Sequence, residues 1–327
     1  MIAFDYIKPS NAKGAIEALA KSSSSKFIAG GTNLVDLMKM GVTRPDKLID
    51  ITGLPFSEVE KKAGSLRIGS LALNSTVSEN ELVLQYQPLL SLALKAGASP
   101  QLRNMATVGG NMMQRTRCSY FFDLAMPCNK RQPGSGCGSL HGYNRMHAIF
   151  GASDKCIAVH PSDMCVALTA LDATVYVTGP KGDRIIPFAD FHRLPGDQPD
   201  KDNTLQREEL IEAVEIPDNQ LNKHVHYLKV RDRASYAFAL VSVAVGLDLN
   251  GEEIRNVRIA MGGVAHKPWR LKEAEHFLIG KKASQGNFEQ AAKIAMRGAK
   301  GYGYNNFKLK LAPNAITEAL NKATAIS

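Results

Sequence analysis

The sequence predicts an α+β fold built as two domains, residues 1–219 and 220–327. Three observations carry that reading. Over residues 1–110, short apolar strand-like pieces alternate with helical stretches and glycine turns. Over residues 173–261 the pattern changes to period-2 alternation, the mark of half-buried antiparallel strands. Over residues 270–323 apolar residues return at helical spacing, so helices close the chain and can cover the sheet before them.

In chain order, Asn11 suits the N-cap of a helix through Ala15-Ile16-Glu17-Ala18-Leu19-Ala20. Lys26-Phe27-Ile28-Ala29 reads as a short buried strand. It runs into Gly30-Gly31-Thr32-Asn33 and then a helix, Leu34-Val35-Asp36-Leu37-Met38-Lys39. Lys47 to Ile51 and Ser65 to Gly69 read as strands, and Leu82 to Ala96 as one helix with Gly97 at its C-terminus. A second glycine pair follows in Thr107-Val108-Gly109-Gly110-Asn111. Residues 115–159 show little periodicity and many glycines and prolines, so irregular backbone is expected there. Met164 to Leu171 is a helix, Ala173 to Val177 a strand, Gly179 to Gly182 a hairpin turn, and Leu210 to Pro217 a strand. Leu194 to Asn203, with two prolines and three aspartates, reads as an exposed loop. In the second domain Val225 to Val230, Leu240 to Leu247 and Arg255 to Met261 are strands. Arg270 to Leu278, Asn287 to Met296 and Asn314 to Ala323 are helices.

Composition is that of a globular protein: 44% hydrophobic and 22% charged over 327 residues. No apolar run reaches the roughly 18–20 residues of a membrane span. Met1 to Tyr6 lacks a basic stretch followed by an apolar one, so no signal peptide is expected. The net charge of +9 is spread along the chain without interleaved aromatics. That excludes a nucleic-acid groove and favours a solvated surface or an acidic partner. Five cysteines, an odd number, do not suit a secreted disulfide framework. No Ser-His-Asp set, no HExxH and no convincing carboxylate dyad is present, so hydrolysis lacks its catalytic groups.

Two features carry chemistry. A pair of glycines allows positive φ and lets backbone N–H groups crowd onto an anion, and a helix N-terminus just beyond adds partial positive charge. Gly30-Gly31 and Gly109-Gly110 both have this form, although either alone is also an ordinary turn. Neither is a GxGxxG or Walker sequence. The second feature is Cys118, Cys128, Cys137 and Cys156, with intervals of nine, eight and eighteen residues. Thiolate sets select zinc or iron–sulfur clusters. The intervals match neither zinc ribbons nor bacterial ferredoxins, so spacing does not name the metal. A zinc-stabilised scaffold remains the alternative. Cys165 sits in an apolar helical run and reads as core. His160, before a proline, reads as structural.

Lys26 to Leu34 resembles the first FAD-binding loop of the flavoprotein subunits of molybdenum hydroxylases, the xanthine dehydrogenase and aldehyde oxidoreductase family. Gln101-Leu102-Arg103-Asn104 with Thr107 to Asn111 resembles its second loop, Ser162-Asp163 its Ser-Asp turn, and Gly262-Gly263 with Pro268 and Arg270 its C-terminal motif. The cysteine insertion at 115–159 departs from the common pattern. It resembles the subclass with an extra [4Fe-4S] cluster in the flavin subunit, of the periplasmic aldehyde oxidoreductase type.

The resemblance implies a two-part FAD-binding domain of the vanillyl-alcohol-oxidase (PCMH) type and a C-terminal domain like that of carbon monoxide dehydrogenase flavoproteins. It implies FAD held by Lys26, Phe27, Ile28, Ala29, Gly30, Gly31, Thr32, Asn33 and Leu34 on one side. Thr107, Gly110, Asn111 and Gln114 bind from the other, Asp163 accepts a ribose or adenine-side hydrogen bond, Lys229 approaches the flavin ring, and Tyr236 shields it. It implies a [4Fe-4S] cluster on Cys118, Cys128, Cys137 and Cys156. The expected partners are a [2Fe-2S] small subunit, a molybdenum-cofactor large subunit and an external electron acceptor. The expected compartment is the cytoplasm, or the periplasm by co-export with a signal-bearing partner.

Overall fold

The structure is a computed structural model that describes residues 1–325. Its strands form three sheets. The first holds β1 (Asp5–Ile7), β2 (Lys26–Ile28) and β3 (Lys47–Asp50), all parallel, in the order β1-β3-β2. The second holds β4 (Val59–Lys62), β5 (Ser65–Gly69), β6 (Thr174–Gly179), β7 (Gly182–Pro187) and β8 (Leu210–Pro217), in the order β4-β5-β8-β6-β7 and antiparallel throughout. The third holds β9 (His224–Val230), β10 (Val241–Asn250), β11 (Glu253–Gly262) and β12 (Trp269–Arg270), an antiparallel meander. This is the expected α+β fold.

The small parallel sheet is edged by β2, so the chain enters the first glycine turn from an open edge. Lys26 is exposed and Phe27 and Ile28 only half-buried, against the expectation of a buried strand. The helix Ala12–Ala20 backs the sheet, and its cap is as read: Asn11 accepts from the Gly14 N–H at 2.8 Å. The expected helix from Leu82 to Ala96 is two helices, Glu81–Tyr86 and Pro88–Ala96. Pro88 has no N–H to donate and its ring clashes with the preceding turn, so the chain restarts there with the proline at its first position.

The helix Asp163–Ala170 is buried on every side. It lies between the second sheet and β10 and β11 of the third, so it joins the cores of both. The third sheet is covered by helices Lys272–Leu278, Gln285–Ala295 and Lys308–Thr324. The last begins six residues before the expected start. Pro313 lies inside it, and the turn before the proline is held by Leu309, Leu311 and Ala312 packing on the sheet. Trp269 and Arg270 pair with β11 rather than opening a helix. No helix among the described residues is long and apolar enough to cross a membrane.

Lys308 looks in the sequence like part of a basic surface cluster. It is fully buried, donating from Nζ to the carbonyls of His147 at 3.0 Å and Gly263 at 2.7 Å. Burial pushes its pKa down to about 7, with Arg145 adding in the same direction. The ordinary value applies when the chain unfolds, so between pH 7 and about 10 the unfolded chain binds the extra proton and stability rises with pH. The expected slope is at most about 1.4 kcal/mol per pH unit. Urea midpoints of the wild type should therefore rise between pH 7 and 8, below the range in which the buried thiols oppose it. In Lys308→Met that rise should be missing, with lower stability throughout because two buried carbonyls lose their donor.

Candidate functional site

The first glycine turn is pressed onto the segment leading to the second. A Cβ on Gly30 would stand 1.7 Å from the Met105 carbonyl oxygen, so only glycine permits this approach. Gly31 follows with φ at +71°. Phe27 through Leu34 are all partly exposed, so this face is not consumed by the core. The Asn33 side chain does not cap the helix Leu34–Lys39 that it precedes. Its Oδ1 accepts from the backbone N–H of Arg115 at 3.0 Å, anchoring the start of the cysteine segment. Its Nδ2 is buried with no partner.

The second turn is braced by its own side chains. Thr107 caps the helix Val108–Met112 by accepting from the Gly110 N–H at 3.2 Å. Asn111 Oδ1 accepts from Gln114 Nε2 and from Ser162 Oγ, the latter at 2.7 Å. Ser162 Oγ in turn accepts from the Cys165 N–H at 3.1 Å and caps the helix Asp163–Ala170. The second glycine turn and the Ser-Asp turn, 51 residues apart in sequence, are thus one bonded unit.

Asp163 and Lys229 are brought together. Tyr227 donates to Asp163 Oδ1 and Lys229 to Oδ2, each at 2.7 Å, and Lys229 also donates to the Ala96 carbonyl at 3.0 Å. The ion pair is buried, with 5% and 8% of the two side chains exposed. Burial and the Asp163 carboxylate drive the Tyr227 phenol well above its ordinary pKa, so it stays protonated and donating. Lys229 therefore grips Asp163 and the end of the helix Pro88–Ala96, whereas the sequence reading aimed it at a flavin ring. Asp163 still borders the cavity described below, and a carboxylate can accept more than two donors. Tyr236 is exposed at φ +50°, with the Arg233 guanidinium 5.5 Å from its ring centroid.

The four insertion cysteines converge on one small recess, which Tyr120, Asn129, Lys130 and Ser139 also line. The backbones of Cys128 and Cys137 pair in an antiparallel bridge, and Cys156 bridges Ser153. All are free thiols. Burial pushes Cys118 up to about 12 and Cys156 up to about 11, and neighbouring cysteines of the set push both the same way. Thiols so placed give up their protons to a metal cation rather than to solvent. Among the described residues, no three of these sulfurs lie within 4.8 Å of one another.

The loop expected to be exposed, Leu194 to Asn203, holds Lys130, a residue that lines the recess, from behind. Asp202 reaches in and pairs with the buried Lys130 ammonium and, at 2.6 Å, with Arg115 Nε. Lys130 also donates to the Pro199 carbonyl at 2.8 Å. Both cations hold the Asp202 carboxyl well below the usual carboxylate range against the opposing effect of burial. The Arg115 guanidinium stacks on Phe121, 4.7 Å from the ring centroid. Nothing in a run of aspartates and prolines distinguishes the one carboxylate that turns inward.

A larger cavity of about 330 Å³ opens beside the recess. Its walls come from three places: the cysteine segment (Tyr143, Arg145, His147), the turn Pro161 to Asp163, and the end of β11 (Gly262, Gly263) with Phe238 from the β9–β10 connection. Thr116 and Cys118 line both the cavity and the recess. His147 escaped the sequence reading, although its position between cysteines was a usable signal. Its Nε2 lies 3.1 Å from Cys118 Sγ, and burial pushes its pKa down to about 4, so the ring is neutral. Cys165 is core, as read, but it lies with His160 and His192 so that their ligand atoms fall within 4.8 Å. His192 is tied by Nε2 to the Met112 carbonyl at 2.9 Å, behind the second glycine turn.

Comparison with known proteins agrees with this geometry. Residues 2–219 match the family described as the FAD binding domain in molybdopterin dehydrogenase, and residues 226–323 the CO dehydrogenase flavoprotein C-terminal domain. The chain is 47% identical over 327 residues to the aldehyde oxidoreductase FAD-binding subunit PaoB of Escherichia coli, covering 99% of each chain. It is 29% identical to the glyceraldehyde dehydrogenase medium chain of Sulfolobus acidocaldarius, covering 85% of this chain and 82% of that one. It shares its fold with carbon monoxide dehydrogenase from Hydrogenophaga pseudoflava, with a TM-score of 0.78 at 24% identity, covering 99% of each chain. The chain belongs to the FAD-binding subunits of the molybdenum hydroxylase family, the flavoprotein component of an oxidoreductase.

Proposed function

We propose that this chain is the electron-transfer subunit of a heterotrimeric molybdenum-containing aldehyde or heterocycle oxidoreductase. It carries a [4Fe-4S] cluster on Cys118, Cys128, Cys137 and Cys156, and FAD between the two glycine turns. In this reading electrons arrive from a [2Fe-2S] subunit and leave the FAD for an external acceptor. Residues 1–219, with the insertion at 115–159, form the cofactor-binding domain and residues 220–327 the second. The aldehyde class follows the name of the Escherichia coli relative. When bound, the cluster supplies single electrons and the flavin collects them in pairs.

The observation that carries the proposal is the shared wall: Cys118 borders both the thiol recess and the 330 Å³ cavity. A ligand on Cys118 and a ring in the cavity would be neighbours with no protein layer between. Four thiols facing one recess are a donor set that can hold a [4Fe-4S] cluster. FAD also fits. The unpartnered Asn33 Nδ2 and the backbone N–H groups after Gly30 are donors for a pyrophosphate, and the Thr32 hydroxyl lies in the same turn. Thr107 and Asn111 orient the opposite turn, and Lys229 and Tyr227 hold Asp163 at the cavity edge.

Stoichiometry tests the proposal. The purified chain, handled anaerobically, should contain about four irons, four sulfides and one FAD. One zinc and no flavin would overturn it in favour of a zinc-stabilised scaffold.

A further inference from the structure

Lys130 shares the thiol recess with the four cysteines, and its side chain is only 1% exposed. Its Nζ donates to the Pro199 carbonyl at 2.8 Å and to Asp202 Oδ1. Asp202 Oδ2 accepts from Arg115 Nε at 2.6 Å. Arg115 is tied in place in turn, donating from Nη2 to the carbonyls of Asp200 at 3.3 Å and Lys130 at 3.4 Å. Arg115, Asp202 and Lys130 therefore form a chain of ion pairs behind the recess, two cations to one carboxylate. Lys130 is the member that lines the recess, and Asp202 stands behind it. The charge of Lys130 reaches Cys156, whose thiolate it favours.

Buried charge without a counter-charge is costly. Within this triad one positive charge is in excess. The cysteines become its counter-charge when they ligate iron, because they do so as thiolates. A cluster held by four thiolates is negative overall and gains one more negative charge on reduction. A cation fixed beside it attracts the reduced state more than the oxidised one and so raises the potential. We propose that this triad sets the potential of the cluster: Lys130 raises it by its charge, and Asp202, held by Arg115, is the positioning residue that fixes the ammonium and moderates its effect. The inference rests on the proposed cluster reading of the recess. Lys155 provides the contrast. It lines the recess too, but its side chain is 42% exposed and pairs with Asp197 at 2.8 Å, where solvent screens it.

The test is an anaerobic redox titration of the full chain followed by electron paramagnetic resonance, with iron content measured in parallel. Lys130→Met, which leaves Asp202 paired with Arg115, should shift the iron–sulfur midpoint to more negative potential. Asp202→Asn should shift it the opposite way, and by less, because Lys130 stands between Asp202 and the recess. Lys155→Met should leave it near the wild-type value. A loosened scaffold does not produce shifts of opposite sign. A Lys130→Met chain with full iron and the wild-type potential, or shifts of the same sign in Lys130→Met and Asp202→Asn, would overturn the inference alone. If Lys130→Met loses its iron, Asp202→Asn decides: full iron with a more positive potential supports the inference, and any other result overturns it. A wild-type chain without iron would overturn both this inference and the function on which it rests.

Discussion

Replacement of Cys156 by alanine should empty the thiol recess of iron while leaving the FAD in place. Cys156 is buried, and its strand-like bridge to Ser153 fixes where its sulfur can go. Lys130 is the cation that favours its thiolate form, offsetting part of the burial. With one corner removed, the three remaining thiols hold a set built for four, and no other cysteine is at hand: Cys165 is tied into the helix beyond the Ser-Asp turn. Iron should fall from about four to below about one per chain. The yellow flavin absorbance should persist, because Gly30, Asn33, Thr107 and Asn111 do not touch Cys156. Iron assay and visible spectrum read both halves of this expectation, and a Cys156→Ala chain with its full complement of iron would remove Cys156 from the ligand set.

The second large effect is expected at Gly30. Its Cβ position is 1.7 Å from the Met105 carbonyl oxygen and 2.6 Å from the carbonyl carbon. Those atoms are backbone, so no rotamer change relieves the clash, and Gly30→Ala must push the two segments apart. The cost should reach about 3 kcal/mol, the upper end of overpacking, a fall in melting temperature of about 6–12 °C. FAD affinity should fall more than about tenfold, since 1.4 kcal/mol of lost cradle geometry already gives that factor. Gly64→Ala is the control. Gly64 has φ at +81° and nothing within 4 Å of its Cβ position, so it isolates backbone strain, about 1 kcal/mol. Equal effects at both sites would refute the view that Gly30 is needed for loop-on-loop contact.

Much of this fold was legible in the sequence, and the exceptions have physical causes. Strands β6 and β9 could be read because one face of each is buried and alternation follows, and β10 because a strand buried on both faces is an unbroken apolar run. Asn11 caps its helix, as a residue with a short polar side chain before an apolar run does. The helix through Gln87 was misread because its apolar spacing continues across Pro88, and only the missing N–H breaks it. Within the candidate site, the glycine pairs and cysteines stood out because their residue types are chemically unusual in those positions. Lys308, Asp202 and Tyr227 did not. A buried lysine in a Lys-rich stretch, or one inward aspartate among several, has the same local sequence as a solvated one. Its partners come from residues as much as 161 positions away. Lys229, expected to approach a flavin ring, pairs with Asp163 across 66 residues, a contact its own strand does not signal.

A stepwise anaerobic dithionite titration of the purified chain, followed by absorbance and electron paramagnetic resonance, tests the central claim most directly. If one chain holds both centres side by side, it should take up about three electrons: one with the appearance of a reduced iron–sulfur signal and two with flavin bleaching. Uptake of two electrons, with bleaching of flavin alone and no iron–sulfur signal, would contradict it and leave the four cysteines with a structural metal.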